Sequence, residues 1–299
     1  MHPGPEQQTA PAALADLESG GPTAARLRLG ARLRQLRQAA GISRQDAAGA
    51  ICSSASKITR LELGRSGIKT RDLANLLTLY GTDPAGQSSM MALAQVGNNR
   101  GWWQDYGDAV PAWQADSLGL EQAASLIRSY EPRFVPELLQ TPEYARILLA
   151  NTAGDVDAGR AERQIAVLLR RQQILHREQP PHVWMVIDEG ALRRPVGGPA
   201  VMRAQLGHLI DITRLSHVNI QVVSFRTGGH AASRGPVSLL RFAGEQLPDV
   251  VCLDHSAGAV YPSRSDEIAR YWDVLNQLVT QADPPIASAL TIEQIRREL

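Results

Sequence analysis

Apolar positions in the first third of the chain recur at helical spacing. Leu29, Leu33 and Leu36 fall at i, i+4 and i+7 within RLRLGARLRQLRQAAG, a stripe ended by Gly41 that leaves Arg32, Arg34 and Arg37 off it. The next stretch, SRQDAAGAICSSASKITRLE over residues 43–62, predicts two short helices joined by a tight turn. Ser43 is placed to cap the first, which buries Ala47 and Ile51. Ser54 is placed to cap the second, which turns Ile58 and Leu61 inward and leaves Ala55, Ser56, Lys57, Thr59 and Arg60 outward. Leu73, Leu76, Leu77 and Tyr80 continue the period in a helix capped by Thr70 and closed by Gly81. The stripes predict a compact helical domain.

Further on the periodicity changes. Leu120, Ala124, Ile127 and Tyr130 match a helical stripe broken by Pro132 and Pro136, and Thr141 with Pro142 opens another helix. A longer helix from Gly159 to Glu178 carries Ile165, Leu168, Leu169 and Leu175 inward and Arg163, Arg170, Arg171 and Arg177 outward. HVWMVIDEG, NIQVVSF, VSLLRFA and DVVCLDH then read as short strands, with a helix from Pro199 to Leu215 between the first two. A last helix, capped by Ser265, buries Ile268, Tyr271, Trp272, Leu275, Leu278 and Val279. The expected architecture is a mainly α N-terminal five-helix domain followed by a larger α+β domain, helices with a small mixed sheet. In residue terms, 1–22 is a disordered tail, 23–82 the helical domain, 83–100 a linker or connecting helix, 101–284 the α+β domain and 285–299 a C-terminal tail.

Charge gives the first domain a purpose. Between residues 24 and 81 eleven Lys and Arg face three Asp and Glu, a net of +8, whereas the whole chain carries only +1. Such segregation suits duplex phosphates, where neutralisation releases counterions. No apolar run approaches the roughly 20 residues a membrane helix needs, and the N-terminal segment lacks the basic and apolar regions of a signal peptide. A cytoplasmic protein is expected. Cys52 and Cys252, the two cysteines, fall in different predicted domains and make neither a disulfide framework nor a metal site.

The pattern LGARLRQLRQAAGISRQDAA, followed by SSASKITRLELG and DLANLLTLYG, resembles the Cro and phage-repressor helix-turn-helix regulators, the xenobiotic-response-element family. That resemblance implies that Arg44 and Gln45 touch phosphate or a base edge, and that Ser54, Ala55, Ser56, Lys57, Thr59 and Arg60 enter the major groove. Arg65, acting equally on all sequences, and Lys69 complete the expected DNA-binding residues. Arg44 stands where the family more often has Gln, and Ala47 where it has Leu, so the base sequence read does not transfer. A homodimer is expected, since one short helix reads too few base pairs for selectivity.

The remainder, through GWWQDYGDAVP, IRSYEPRFVPELLQTPEYAR, VIDEGALRRPVGGPAVMRAQLGHL and NIQVVSFRTGGH, resembles the C-terminal domain of actinobacterial regulators described as antitoxin-like. The resemblance implies a small partner protein, encoded nearby, as the domain's ligand. Glu137 departs from the Gly usual in that family's VP-x-LLQT turn. Nothing in the chain offers a nucleophile elbow, a zinc-binding HExxH, a phosphate loop or a dinucleotide fingerprint, so no enzyme, cofactor or metal is expected. Two binding readings stay open for this domain, a partner protein and a small metabolite. Candidate contacts are Trp102, Trp103 and Tyr106 in an aromatic cluster with Trp113, the pair Arg193 and Arg194, and His230 in the glycine-rich loop 226–235.

Overall fold

The structure is a computed structural model and describes residues 21–152, 157–232, 235–243, 247–255, 258–262 and 264–299. The chain divides into two compact units, with the boundary between Trp102 and Trp103. The predicted N-terminal tail falls outside the described residues apart from Gly21 and Pro22, which open the first helix.

The first unit holds α1 (Gly21–Ala39), α2 (Arg44–Ala50), α3 (Ala55–Glu62), α4 (Thr70–Leu79) and α5 (Pro84–Gly97). Both serine caps form: Ser43 accepts from the Asp46 N–H at 3.1 Å and Ser54 from the Lys57 N–H at 3.3 Å. Thr70 does not cap α4; Lys69 holds that position without a side-chain bond. The predicted stripes meet in one core of Leu29, Leu33, Ile58, Leu61, Leu73, Leu76 and Leu77. Two readings need correction. The segment 83–100 is not a mere connector, because α5 places Met90, Leu93 and Ala94 in that core and is its fifth helix. Arg37 does not stay in water either, since it is 7% exposed beneath Glu62.

Gly30 sets how closely α1 crosses α3. A Cβ there would lie 2.4 Å from the Leu61 carbonyl oxygen and 2.8 Å from that of Glu62, so only glycine admits this contact of backbones. The turn between α2 and α3 runs through Cys52, at φ +47°, in the left-handed region that glycine tolerates best.

In the second unit six strands form one mixed sheet in the order β3-β2-β1-β4-β5-β6. They are β1 (Ala124–Glu131), β2 (His182–Asp188), β3 (Val218–Val223), β4 (Val237–Phe242), β5 (Val250–His255) and β6 (Gly258–Val260). β1, β2 and β3 run parallel, while β4 pairs antiparallel with β1 and with β5. The helices are α6 (Ala112–Ala123), α7 (Pro142–Thr152), α8 (Ala158–Gln172), α9 (Glu189–Arg193), α10 (Pro199–Ile212), α11 (Ser265–Gln281) and α12 (Pro285–Glu298). The helical stripe expected through Tyr130 stops at Ala123, and its second half is the central strand β1. α11 covers one face, packing Leu275 and Leu278 on Tyr130, Val186, Leu239 and Val251.

Residues 285–299 are not a tail. Pro285 opens α12 at a position where a missing N–H costs nothing, and Ser288, Ile292 and Ile295, one stripe at i, i+4 and i+7, are all buried. Ser288 Oγ accepts from the Val222 N–H at 2.9 Å, so α12 covers the free edge of β3.

Candidate DNA interface and the second unit's charged clusters

Two buried carboxylates organise the helix-turn-helix. Glu62 ends α3 on its inward side, four residues beyond Ile58 and next to Leu61, and its side chain is 3% exposed. Arg37 of α1 grips it with two bonds, Nε to Oε1 at 2.5 Å and Nη2 to Oε2 at 3.1 Å, and gives a third to the Ile42 carbonyl at 2.8 Å. Arg44, first residue of α2, approaches the same carboxylate at 3.5 Å. One anion therefore ties α1, α2 and α3 together. Its hydrogen bond holds the Arg37 guanidinium above its usual range. Burial, and then the Glu62 charge, push the nearby Tyr80 phenol up to about 12.

Asp72 plays the matching part on α4. Its side chain is 5% exposed, and Lys57 Nζ sits 3.1 Å from Oδ2, with Arg71 more loosely placed at 3.8 Å. Lys57, read from sequence as an outward DNA contact, is thus half-buried and engaged inside the domain. The Ser54 hydroxyl is engaged too, as a cap, and Thr59 Oγ1 donates to the Ala55 carbonyl at 3.1 Å. Ala55 is half-buried. The side chains of Gln45, Ser56, Arg60, Arg65 and Lys69 are exposed and bond to no other described residue. Ser56 and Arg60 share a face of α3 at i, i+4. Sequence reasoning passed over Glu62 and Asp72 as organisers, although each continues an apolar stripe, 58, 61, 62 and 72, 73, 76. A carboxylate on a buried stripe is the signal that would have found them.

Of the remaining candidates Trp102 ends the first unit, and Trp103, Tyr106, Arg193, Arg194 and His230, in the second, have separate partners. Trp103 is buried and Trp102 and Tyr106 half-buried, in a 3-10 turn over Trp102–Ala109. Arg193 is committed to Glu189 at 2.7 Å and to Glu298 of α12 at 2.6 Å. Arg194 lies over the Phe134 ring and donates to the Arg133 carbonyl at 3.1 Å. His230 meets the Tyr130 hydroxyl at 3.1 Å, which also donates to Asp188 at 3.3 Å. Part of its loop, residues 233–234, lies outside the described residues.

Arg171, expected outward on α8, instead turns in with Leu168 and Leu175, while Leu169 is exposed. Its inward place is sustained by Glu121, bonded at 2.5 and 2.6 Å, and by Glu137, the residue that departs from the family's glycine. Despite the opposing effect of burial, these carboxylates hold the Arg171 guanidinium well above its usual range.

A helix-turn-helix fold with exposed basic side chains on and after α3 defines a DNA-binding regulator, and a helix-turn-helix domain family matches residues 28–88. The particular family follows from the larger unit. A domain of unknown function, DUF5753, matches residues 114–294, more than half of the chain, and the protein belongs to that family. No curated protein and no solved structure matches it. Among the described residues no helix is long and apolar enough to cross a membrane.

Proposed function

We propose that this protein is a Cro-type transcriptional regulator that binds its operator as a homodimer, and that its C-terminal domain is antitoxin-like and binds a small partner protein. The partner changes the spacing of the two helix-turn-helix units and so their grip on paired half-sites. The observation that carries the DNA reading is the free face of Gln45, Ser56 and Arg60 in a domain of net charge +8. The partner reading draws on Ile286 and Leu290, apolar side chains 82% and 68% exposed at i, i+4 on α12. In this reading the domain's role is regulatory rather than catalytic, and the protein works in the cytoplasm, beside its DNA.

Sedimentation of the full chain on an operator recovered from a random duplex pool tests the proposal, with and without the product of a short adjacent reading frame. Two chains per duplex, and an operator affinity altered by the small protein, are expected. One chain per duplex, or an affinity indifferent to that protein, contradicts the corresponding half. One observation favours a second reading, in which the domain senses a small molecule: two adjoining cavities of about 270 and 190 Å³ lie in the second unit.

A further inference from the structure

The smaller cavity is floored by the sheet face turned away from α11. Ser129 and Glu131 of β1, Ser238 of β4, and Cys252 and Asp254 of β5, at alternate positions along their strands, line it, and Trp113 and Glu121 of α6 lie across from them. A covered sheet face is ordinarily filled by large branched or aromatic side chains. Serine and cysteine at the centre of this one leave space instead.

The polar groups around that space are unbalanced. Four carboxylates, Glu121, Glu131, Glu137 and Asp254, line it with two guanidiniums, Arg133 and Arg171. Arg171 is held by Glu121 and Glu137, and Arg133 by Glu131 at 3.0 Å. Asp254 accepts from the Cys252 thiol at 3.4 Å and, although its charge is felt by Arg133 and Arg171, forms no ion pair among the described residues. Both cations are thus already matched, one carboxylate is not, and the wall carries a net charge of −2, four against two. The larger cavity shares Gln114, Glu131, Arg133, Glu137 and Arg171 with the smaller, but Leu148, Leu149, Ile165 and Leu168 make much of its lining apolar. There Gln164 Oε1 is a buried acceptor without a hydrogen-bond partner among the described residues. An anion meets repulsion and no free donor cation; a cation with N–H groups meets an exposed carboxylate that no ion pair engages and, deeper in, the buried Gln164 acceptor.

We propose that these adjoining cavities bind an organic amine, its ammonium held by Asp254 over the sheet and its compact apolar body directed to the leucine-lined chamber. The proposal rests on the second reading above, a ligand-binding C-terminal domain, and adds the chemical class of the ligand. It is tested by calorimetric titration of the full chain with three probes of one shape: 2-phenylethylamine, 2-phenylethanol and phenylacetate. The amine is expected to bind saturably and about tenfold more tightly than the alcohol, the factor that about 1.4 kcal/mol supplies, with phenylacetate weakest. Asp254→Asn, at an exposed carboxylate, reduces amine binding to the alcohol's level and leaves the alcohol unchanged. Ser238→Leu fills the floor and removes both, with circular dichroism and melting temperature checking the fold. Phenylacetate binding best, or amine binding indifferent to Asp254→Asn, overturns the cationic assignment while leaving a ligand cavity. Absence of saturable binding by all three overturns the cavity reading with it.

Discussion

Replacing Lys57 by alanine separates two roles that the sequence alone merges. If Lys57 only faced DNA, its loss would weaken operator binding by about 1–3 kcal/mol and leave the free protein untouched. The structure places its ammonium 3.1 Å from Asp72, whose side chain is 5% exposed. Removing one partner of a buried ion pair costs roughly 3–5 kcal/mol, because the other charge is left without compensation. Lys57 is itself 30% exposed and Arg71 stands 3.8 Å from the other carboxylate oxygen, so the expected loss is smaller, about 1–3 kcal/mol. Native-state hydrogen exchange on the full chain reads it directly, as lowered protection of the α3 and α4 amides without DNA. Adding Asp72→Asn to Lys57→Ala removes the stranded charge and restores most of that protection. Unchanged protection in Lys57→Ala, together with weakened operator binding, refutes this reasoning and returns Lys57 to the recognition face.

Three other outcomes follow from the same unit. Gly30→Ala drives a methyl group into the Leu61 and Glu62 carbonyls and is expected to cost about 2–3 kcal/mol, read as loss of the first unit's cooperative melting. Cys52→Gly relieves a left-handed residue and is expected to raise stability by up to about 1 kcal/mol in urea titration; a decrease contradicts the turn geometry. The Tyr80 phenol, ordinarily near 10 and pushed up to about 12, favours the protonated folded state. Its contribution is complete below pH 10 and is lost as pH rises toward 12, roughly 2–3 kcal/mol in all. Tyr80→Phe should flatten the stability profile in that window, and an unchanged profile excludes the assignment.

The helix-turn-helix was legible because each local signal agreed with its neighbours: caps at Ser43 and Ser54, apolar stripes of the right period, and glycines at the helix ends. What escaped the pattern was polar material turned inward. Arg128 made β1 unreadable as a strand, since it is buried between the rings of Trp184 and Trp272 with bonds to Asn276 and the Leu275 carbonyl. With Arg128 on one face and Ser129 on the other, no alternation of apolar and polar residues survives. Ala124 and Ile127 meanwhile matched Leu120 at i+4 and i+7 across the junction of α6 and β1. Residues 285–299 were expected to be a tail, although Pro285 begins α12, where a missing N–H is tolerated. At the candidate interface the composition was visible, but only distances distinguish Arg60, which bonds to no other described residue, from Lys57, which is paired with Asp72.

The central claim is that α3 presents Ser56 and Arg60 to base edges while Arg65 meets the phosphate backbone. Competition of the full chain for its selected duplex against scrambled duplexes, repeated over a salt series, tests it most directly. Arg60→Ala is expected to lose about 1–3 kcal/mol on the selected sequence and little on the scrambled ones. Arg65→Ala should weaken both alike and lower the salt slope by about one. If Arg60→Ala weakens all duplexes equally, or no duplex is enriched from the pool, α3 is not the reading element.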